Sequence, residues 1–151
     1  MPAELRAVVD TNVWVSAVLN PAGPPAEVLD AFTGGQYVLI TSEPLLNEVR
    51  RVLSRPRLVH RYNINSSDVE ELLALLRMRA VVVTPPGHLR LCRDPDDDVV
   101  IETAMIGGAN VVVTRDDDLK GAPEVIAFLD ELGIPVRSVR QFLAELAERS
   151  R

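Results

Sequence analysis

The sequence holds one cysteine, Cys92, one lysine, Lys120, and few aromatic residues, 4% of the chain. A single cysteine excludes a disulfide framework and a cysteine-based zinc site, and Cys92 reads as a small packing residue rather than a nucleophile. The two histidines, His60 among arginines and His88 in a proline-glycine loop, have no metal-ligand spacing. Long apolar runs are also missing: none approaches the roughly 20 residues that a membrane helix needs. The N-terminal stretch MPAELRAVVD has no basic region followed by an apolar run, so no signal peptide is expected. There is no GxxxxGK[ST] loop, no GxGxxG after the first strand and no GxSxG elbow, which leaves P-loop, dinucleotide and serine-hydrolase chemistry without support. The sparse Trp14 and Phe32 fit a core better than a base-stacking platform.

What remains is a chain of 151 residues, 47% hydrophobic and 25% charged. That length fits one domain able to bury roughly two-thirds of its unfolded surface. The expectation is a soluble, cytoplasmic single domain over residues 1–151. Acids outnumber bases 22 to 16, for a net charge of −6, which argues against holding nucleic acid by bulk charge. The distribution is more informative. Arg50, Arg51, Arg55, Arg57 and Arg61 cluster, either as a solvated helix face or as a basic surface. The acids gather at Asp94 with Asp96 to Asp98, and at Asp116 to Asp118.

Short β-branched runs at Ala7 to Val9, Tyr37 to Ile40, Ala80 to Val83, Val111 to Val113 and Ile134 to Val136 alternate with helical patterns. Near-continuous Val and Ile runs suit strands covered on both faces. Ser67 with Glu70 and Ser138 with Gln141 have capping-box spacing, Pro25 fits a helix start before Gly34, and Gly107 and Gly108 fit the end of a helix begun near Asp97. Pro56 marks a connection, and Pro85 to Arg93 is the longest loop-like stretch. Strands alternating with helices predict an α/β fold, a three-layer α/β/α sandwich on a mainly parallel sheet.

Against that frame the acids fall at informative places. Asp10, in VVDTNV, directly follows the first strand, where open α/β sheets bind ligands; it also fits a helix N-cap. Glu48 lies in a helix beginning near Ser42, about 40° outside the apolar stripe of Leu45, Leu46, Val49, Val52 and Leu53. That border position suits a pocket wall or an ordinary pair with Arg51 or Arg55. DPDDD, Asp94 to Asp98, precedes a helix and holds more acid than the helix dipole needs. TRDDDL, Thr114 to Leu119, follows the fourth strand. Carboxylates converging from two strand ends and two helices would repel one another without bound cations. Oxygen ligands without soft partners favour magnesium or manganese. A phosphatase using Asp10 as covalent nucleophile would need a second acid shortly after it, and Thr11 to Trp14 supply none.

VVDTNV, TSEPLLNEV (Thr41 to Val49), DPDDDVVIETA (Asp94 to Ala104) and VVVTRDDDL (Val111 to Leu119), in this order over nearly the whole chain, resemble the PIN domain. They are most similar to its VapC-like branch, the toxins of toxin–antitoxin systems. The resemblance implies a ribonuclease dependent on Mg2+ or Mn2+, cytoplasmic, often a homodimer, and inhibited by a cognate antitoxin. By position it assigns catalytic and metal-binding roles to Asp10, Glu48, Asp97 and Asp116, with Asp118 as a reserve metal ligand. Asp97 stands seven before Ala104, as in the family pattern, although Asp98 leaves the register open by one. Thr11, Asn12, Asp98 and Thr114 match accessory polar positions. Arg50, Arg51, Arg57 and Arg115 are candidates to hold the RNA backbone. The rival expectation is a non-catalytic binding module whose acidic pocket accepts a basic partner segment. Membership of a fold does not by itself establish activity.

Overall fold

The computed structural model describes residues 4–115 and 123–150. Five strands, β1 (Arg6–Val9), β2 (Val38–Ser42), β3 (Val81–Val83), β4 (Val111–Thr114) and β5 (Val136–Ser138), form one sheet in the order β3-β2-β1-β4-β5. Every neighbouring pair is parallel. Eight helices lie among the described residues: α1 (Thr11–Leu19), α2 (Pro24–Thr33), α3 (Glu43–Leu53), α4 (Pro56–Tyr62), α5 (Ser66–Arg79), α6 (Pro95–Gly107), α7 (Pro123–Glu131) and α8 (Val139–Arg149).

The strand residues alternate between two apolar layers, as the two-residue period of a strand requires. Ala7, Val9, Leu39, Val111 and Val113 face Trp14, Phe32, Leu46, Val49, Leu73 and Phe142, from α1, α2, α3, α5 and α8. Val8, Ile40 and Val112 face the opposite way, against Val100, Ile101 and Ala104 of α6 and Val125 and Leu129 of α7. This is the α/β/α sandwich that the alternating pattern predicts. The end of α6 passes so close over β2 that a Cβ on Gly107 would overlap the Ile40 side chain. Gly108 then closes the helix in the left-handed region, φ 65°.

Several local boundaries differ from the sequence expectation. β5 begins two residues later, because Pro135 has no N–H for the ladder and contributes only its carbonyl, which accepts from Val112 N at 3.0 Å. Tyr37 precedes β2 rather than joining it: its hydroxyl donates to the Val28 carbonyl at 2.9 Å, and its ring stands edge-on to Phe142. The Ser138–Gln141 capping box forms, but Ser67 does not cap α5. Asn65 does, accepting from Ser67 N at 2.9 Å, since the chain reverses at Asn63 in the left-handed region two residues earlier. Pro56 is the first residue of a short helix rather than part of a loop.

The topology decides where a site can lie. From β1 the chain steps outward to β2 and β3, then returns to the other side of β1 for β4 and β5. The order therefore reverses between β1 and β4, and a crevice at the carboxyl ends of these strands is the expected ligand position. Asp10 and Thr114 stand there, at the ends of the two strands.

Candidate functional site

A cavity of about 320 Å³ opens at this reversal point, and Asp10, Glu48, Asp94 and Asp97 bring acid to its lining. Asp10 leaves the sheet through a backbone bond, its N–H donating to the Val113 carbonyl at 2.9 Å. Its carboxylate is buried and held from both sides. Thr114 Oγ1 donates to Asp10 Oδ2 at 3.0 Å, and Thr11 Oγ1 approaches Asp10 Oδ1 at 3.4 Å. Asn12 Nδ2 reaches Thr114 Oγ1 at 3.4 Å, while Asn12 Oδ1 accepts from Arg115 N at 3.4 Å. Thr11, Asn12 and Thr114 thus form one polar chain around Asp10.

Glu48 arrives from α3, where Leu45, Leu46, Val49 and Leu53 bury the opposite face. Its side chain is 18% exposed, at the edge of the apolar stripe. Burial first, then the negative charge of Asp96, push its carboxyl up to about 7, with a smaller push from Asp10. A hydrogen bond with Thr11 and the Arg51 guanidinium pull the other way. Arg51 sits 3.9 Å from Glu48 and 3.1 Å from Asp96, at the rim.

The neighbours Asp97 and Asp98 part company at the start of α6. Asp97 lines the cavity. Asp98 is buried elsewhere: its Oδ1 accepts from Leu91 N at 3.0 Å and Cys92 N at 2.7 Å. One turn later the buried Glu102 accepts from His88 N at 3.1 Å. Two acids of α6 therefore fasten the preceding loop to the helix, and the accessory position expected of Asp98 becomes a structural one. Asp116 and Asp118 lie outside the described residues.

Of the four arginines expected to hold a backbone, only Arg115 lines the cavity; its Nη1 donates to Ser16 Oγ at 3.0 Å. Arg50 is paired side-on with Glu70 at 2.8 and 2.9 Å and also bonds Asn47. Arg51 is engaged at the acidic rim, and Arg57 is exposed on α4. Four lining residues had no site role in the sequence reading: Val15 and Val52, and the charged Arg55 and Asp94. Glu48 and Val52 stand four apart on one face of α3, and Arg55, three residues after Val52, lies just beyond that helix as the extended residue before α4. Asp94 precedes Pro95, the pattern of an N-cap before a first-turn proline, and indeed accepts from Asp96 N at 2.9 Å.

The donors fit a hard divalent cation in kind: carboxylate, hydroxyl and amide oxygens, with no thiol or imidazole in the lining among the described residues. Among the described residues no three His, Cys, Asp or Glu side chains are grouped closely enough to hold a metal ion together. Magnesium does not require such a cage, since it binds through one or two carboxylates and keeps several waters, which a cavity of this size admits. The Glu48 carboxyl, raised first by burial and then by the neighbouring acids, would be favoured in its charged form by a cation beside it.

A parallel sandwich with acids gathered at its reversal point defines an acidic-crevice α/β protein. The profile of the PIN domain matches residues 6–118. The chain belongs to the PIN domain family, whose members are in general nucleases dependent on divalent metal ions. An uncharacterized protein of Methanocaldococcus jannaschii, MJ1680, is 28% identical over 144 residues, covering 94% of this chain and 92% of the relative. In fold, the chain is similar to one in the crystal structure of VapBC2 from Rickettsia felis bound to a DNA fragment from their promoter. The TM-score is 0.58 at 15% identity, over 89% of this chain and 98% of that one. No helix among the described residues is long and apolar enough to cross a membrane.

Proposed function

We propose that this protein is a ribonuclease that uses Mg2+ or Mn2+ to hydrolyse RNA phosphodiester bonds, as the toxin of a toxin–antitoxin pair. The observation that carries the reading is the meeting of Asp10, Glu48 and Asp97, from a strand end and two helices, around one cavity. The fold similarity to a VapBC2 chain supports the toxin role, with a cognate antitoxin as partner and a homodimer as the working form.

In this mechanism Asp10, Glu48 and Asp97 would supply carboxylate ligands to the ion, one or two at a time beside its waters, together with Asp116 or, in reserve, Asp118. When bound, the ion stabilises charge on phosphoryl oxygens and acidifies water for in-line attack. Thr114 and Thr11 orient the Asp10 carboxylate at the end of β1. Asn12 fixes Thr114 and, through the Arg115 N–H, the start of the segment that carries Asp116. Asp94 adds negative charge at the rim, which repels a phosphodiester until a cation is present. Arg115 and Arg55, on the cavity wall, and the exposed Arg57 then hold the strand; Arg50 and Arg51 would have to leave Glu70 and Asp96 to do so.

Asp10→Asn is expected to abolish RNA cleavage, by at least about a hundredfold, while the thermal melting point stays near or above that of the parent. Excess chelator is expected to do the same to the parent. Full cleavage in either case overturns the assignment.

One observation favours a second reading, a non-catalytic module that accepts a basic segment: at the rim, the Arg51 guanidinium already pairs with both Glu48 and Asp96. Calorimetry separates the two, because a nuclease site binds manganese and loses that affinity in Asp10→Asn, whereas a peptide-accepting pocket needs no ion.

A further inference from the structure

Beside the acidic cavity lies a larger one of about 550 Å³, with Ser16, Asn20, Tyr62, Arg115, Ser138 and Arg140 among its lining residues. Its polarity is the reverse of its neighbour's. Arginines 115 and 140 line it, and no acid does among the described residues. In a chain with a net charge of −6, a cavity whose charged lining residues, among those described, are both arginines runs against the overall balance.

The two cavities are neighbours that share a wall residue. Arg115 lines both, and its guanidinium is planted at the boundary by the bond to Ser16 Oγ at 3.0 Å. Along α1, Asn12 and Val15 line the acidic cavity, and Ser16 and Leu19 line the basic one. These residues follow i, i+3, i+4, i+7 spacing, so they form one helical face about 10 Å long. Tyr62 closes the far side as the last residue of α4; it is 42% exposed, with the Arg61 guanidinium 5.4 Å from its ring centroid. A ring backed by a cation and open on a cavity is a platform on which a base of any identity can stack.

We infer that this basic cavity binds the segment of the RNA strand next to the bond held over the acidic cavity, with Arg115 and Arg140 on its phosphates and Tyr62 under a base. The inference rests on the proposed ribonuclease reading for what occupies it. Its logic is electrostatic. A polyanion can enter a carboxylate crevice at one phosphate, where a cation neutralises the acids, but the phosphates that flank it need fixed positive charge. The fold supplies that charge on one side, at the end of a continuous wall.

The test uses the full chain in chelator at low salt, so that nothing is cleaved, with a short fluorescent single-stranded RNA followed by anisotropy. Arg140→Gln is expected to weaken binding several-fold and to reduce the slope of log affinity against log salt by about 0.7, the value for one lost phosphate contact on a single strand. Arg149→Gln makes the same charge change at the other end of α8 and is expected to leave affinity and slope unchanged. Tyr62→Leu is expected to lose at least about fivefold, and Tyr62→Phe to keep the parent's affinity, since stacking needs the ring and not the hydroxyl. Both positions are exposed, and a melting curve verifies that each variant is folded. Absence of RNA binding by the parent, or parental affinity in Arg140→Gln, overturns the inference; the latter would leave the cavity to a protein segment. Metal-dependent cleavage is read separately. RNA that is bound through Arg140 but never cut with manganese refutes the nuclease reading while the strand path stands.

Discussion

Glu48 carries the clearest electrostatic signature of the crevice. Its carboxyl is raised from 4.5 to about 7 by burial and by the charges of Asp96 and Asp10. Between those values the folded protein keeps a proton that the unfolded chain has lost, so this group favours folding most at low pH, and its contribution declines as pH rises from about 4.5 through about 7. The melting point is expected to fall from about pH 5 to about pH 8 in metal-free buffer, and Glu48→Gln to flatten that fall and to melt higher than the parent at the alkaline end. A steeper fall in Glu48→Gln would refute the assignment of this slope to Glu48. The same sign applies to manganese, which requires the carboxylate and so binds less tightly as pH drops below about 7. The border position of Glu48 was legible in the sequence, because the helical period of Leu45, Leu46, Val49 and Leu53 fixes which face it flanks. Which of Asp97 and Asp98 enters the cavity was not legible, because the choice depends on loop amides that no periodic pattern marks.

That loop is where α6 acts as an element. Asp98 receives the Leu91 and Cys92 amides and Glu102 receives that of His88, so two carboxylates one turn apart hold down the segment that leads into Asp94 and Asp97. Burying a carboxylate among donated N–H groups makes the hydrogen bonds strong and their loss costly. Asp98→Ala is expected to cost about 2–3 kcal/mol of stability, measured by denaturant unfolding. Asp97→Ala, on the cavity wall, is expected to cost much less and instead to weaken manganese binding. If the two variants exchange these effects, the register of the α6 acids is shifted by one. Similar tertiary control explains the other misplaced boundaries. Ser138 and Gln141 close a box because β5 delivers Ser138 extended, whereas the turn at Asn63 sets Asn65 rather than Ser67 at the start of α5. Capping spacing states what a helix end can use, and the path of the chain before it decides which residue arrives there.

At the scale of the whole molecule, the alternation of β-branched runs with helices was enough to give the sandwich, since a parallel sheet with both faces covered demands it. The strand order β3-β2-β1-β4-β5 carries more, because the reversal beside β1 is what turns acids dispersed from Asp10 to Asp97 into one lining. The basic cavity was invisible in the sequence for the same reason: Ser16, Tyr62, Arg115 and Arg140 share no motif and meet only through the fold. A crevice assembled from distant segments must report its occupancy in global stability, because an ion bound only by the folded state stabilises it by RT ln(1 + [L]/Kd), about 2.7 kcal/mol at a hundred times Kd. For a domain of this size that corresponds to a rise in melting point of several degrees. Manganese is therefore expected to raise the melting point of the parent, with a rise that grows with the logarithm of its concentration above Kd. Asp10→Asn is expected to show little of that rise, because it removes the carboxylate that Thr11 and Thr114 hold at the strand end. Asp118→Asn tests how far the segment after Arg115 shares in the same charge. A parent whose melting point is indifferent to manganese would mean that the acids stay together without an ion, and would move the weight to the reading in which a basic segment fills the pocket.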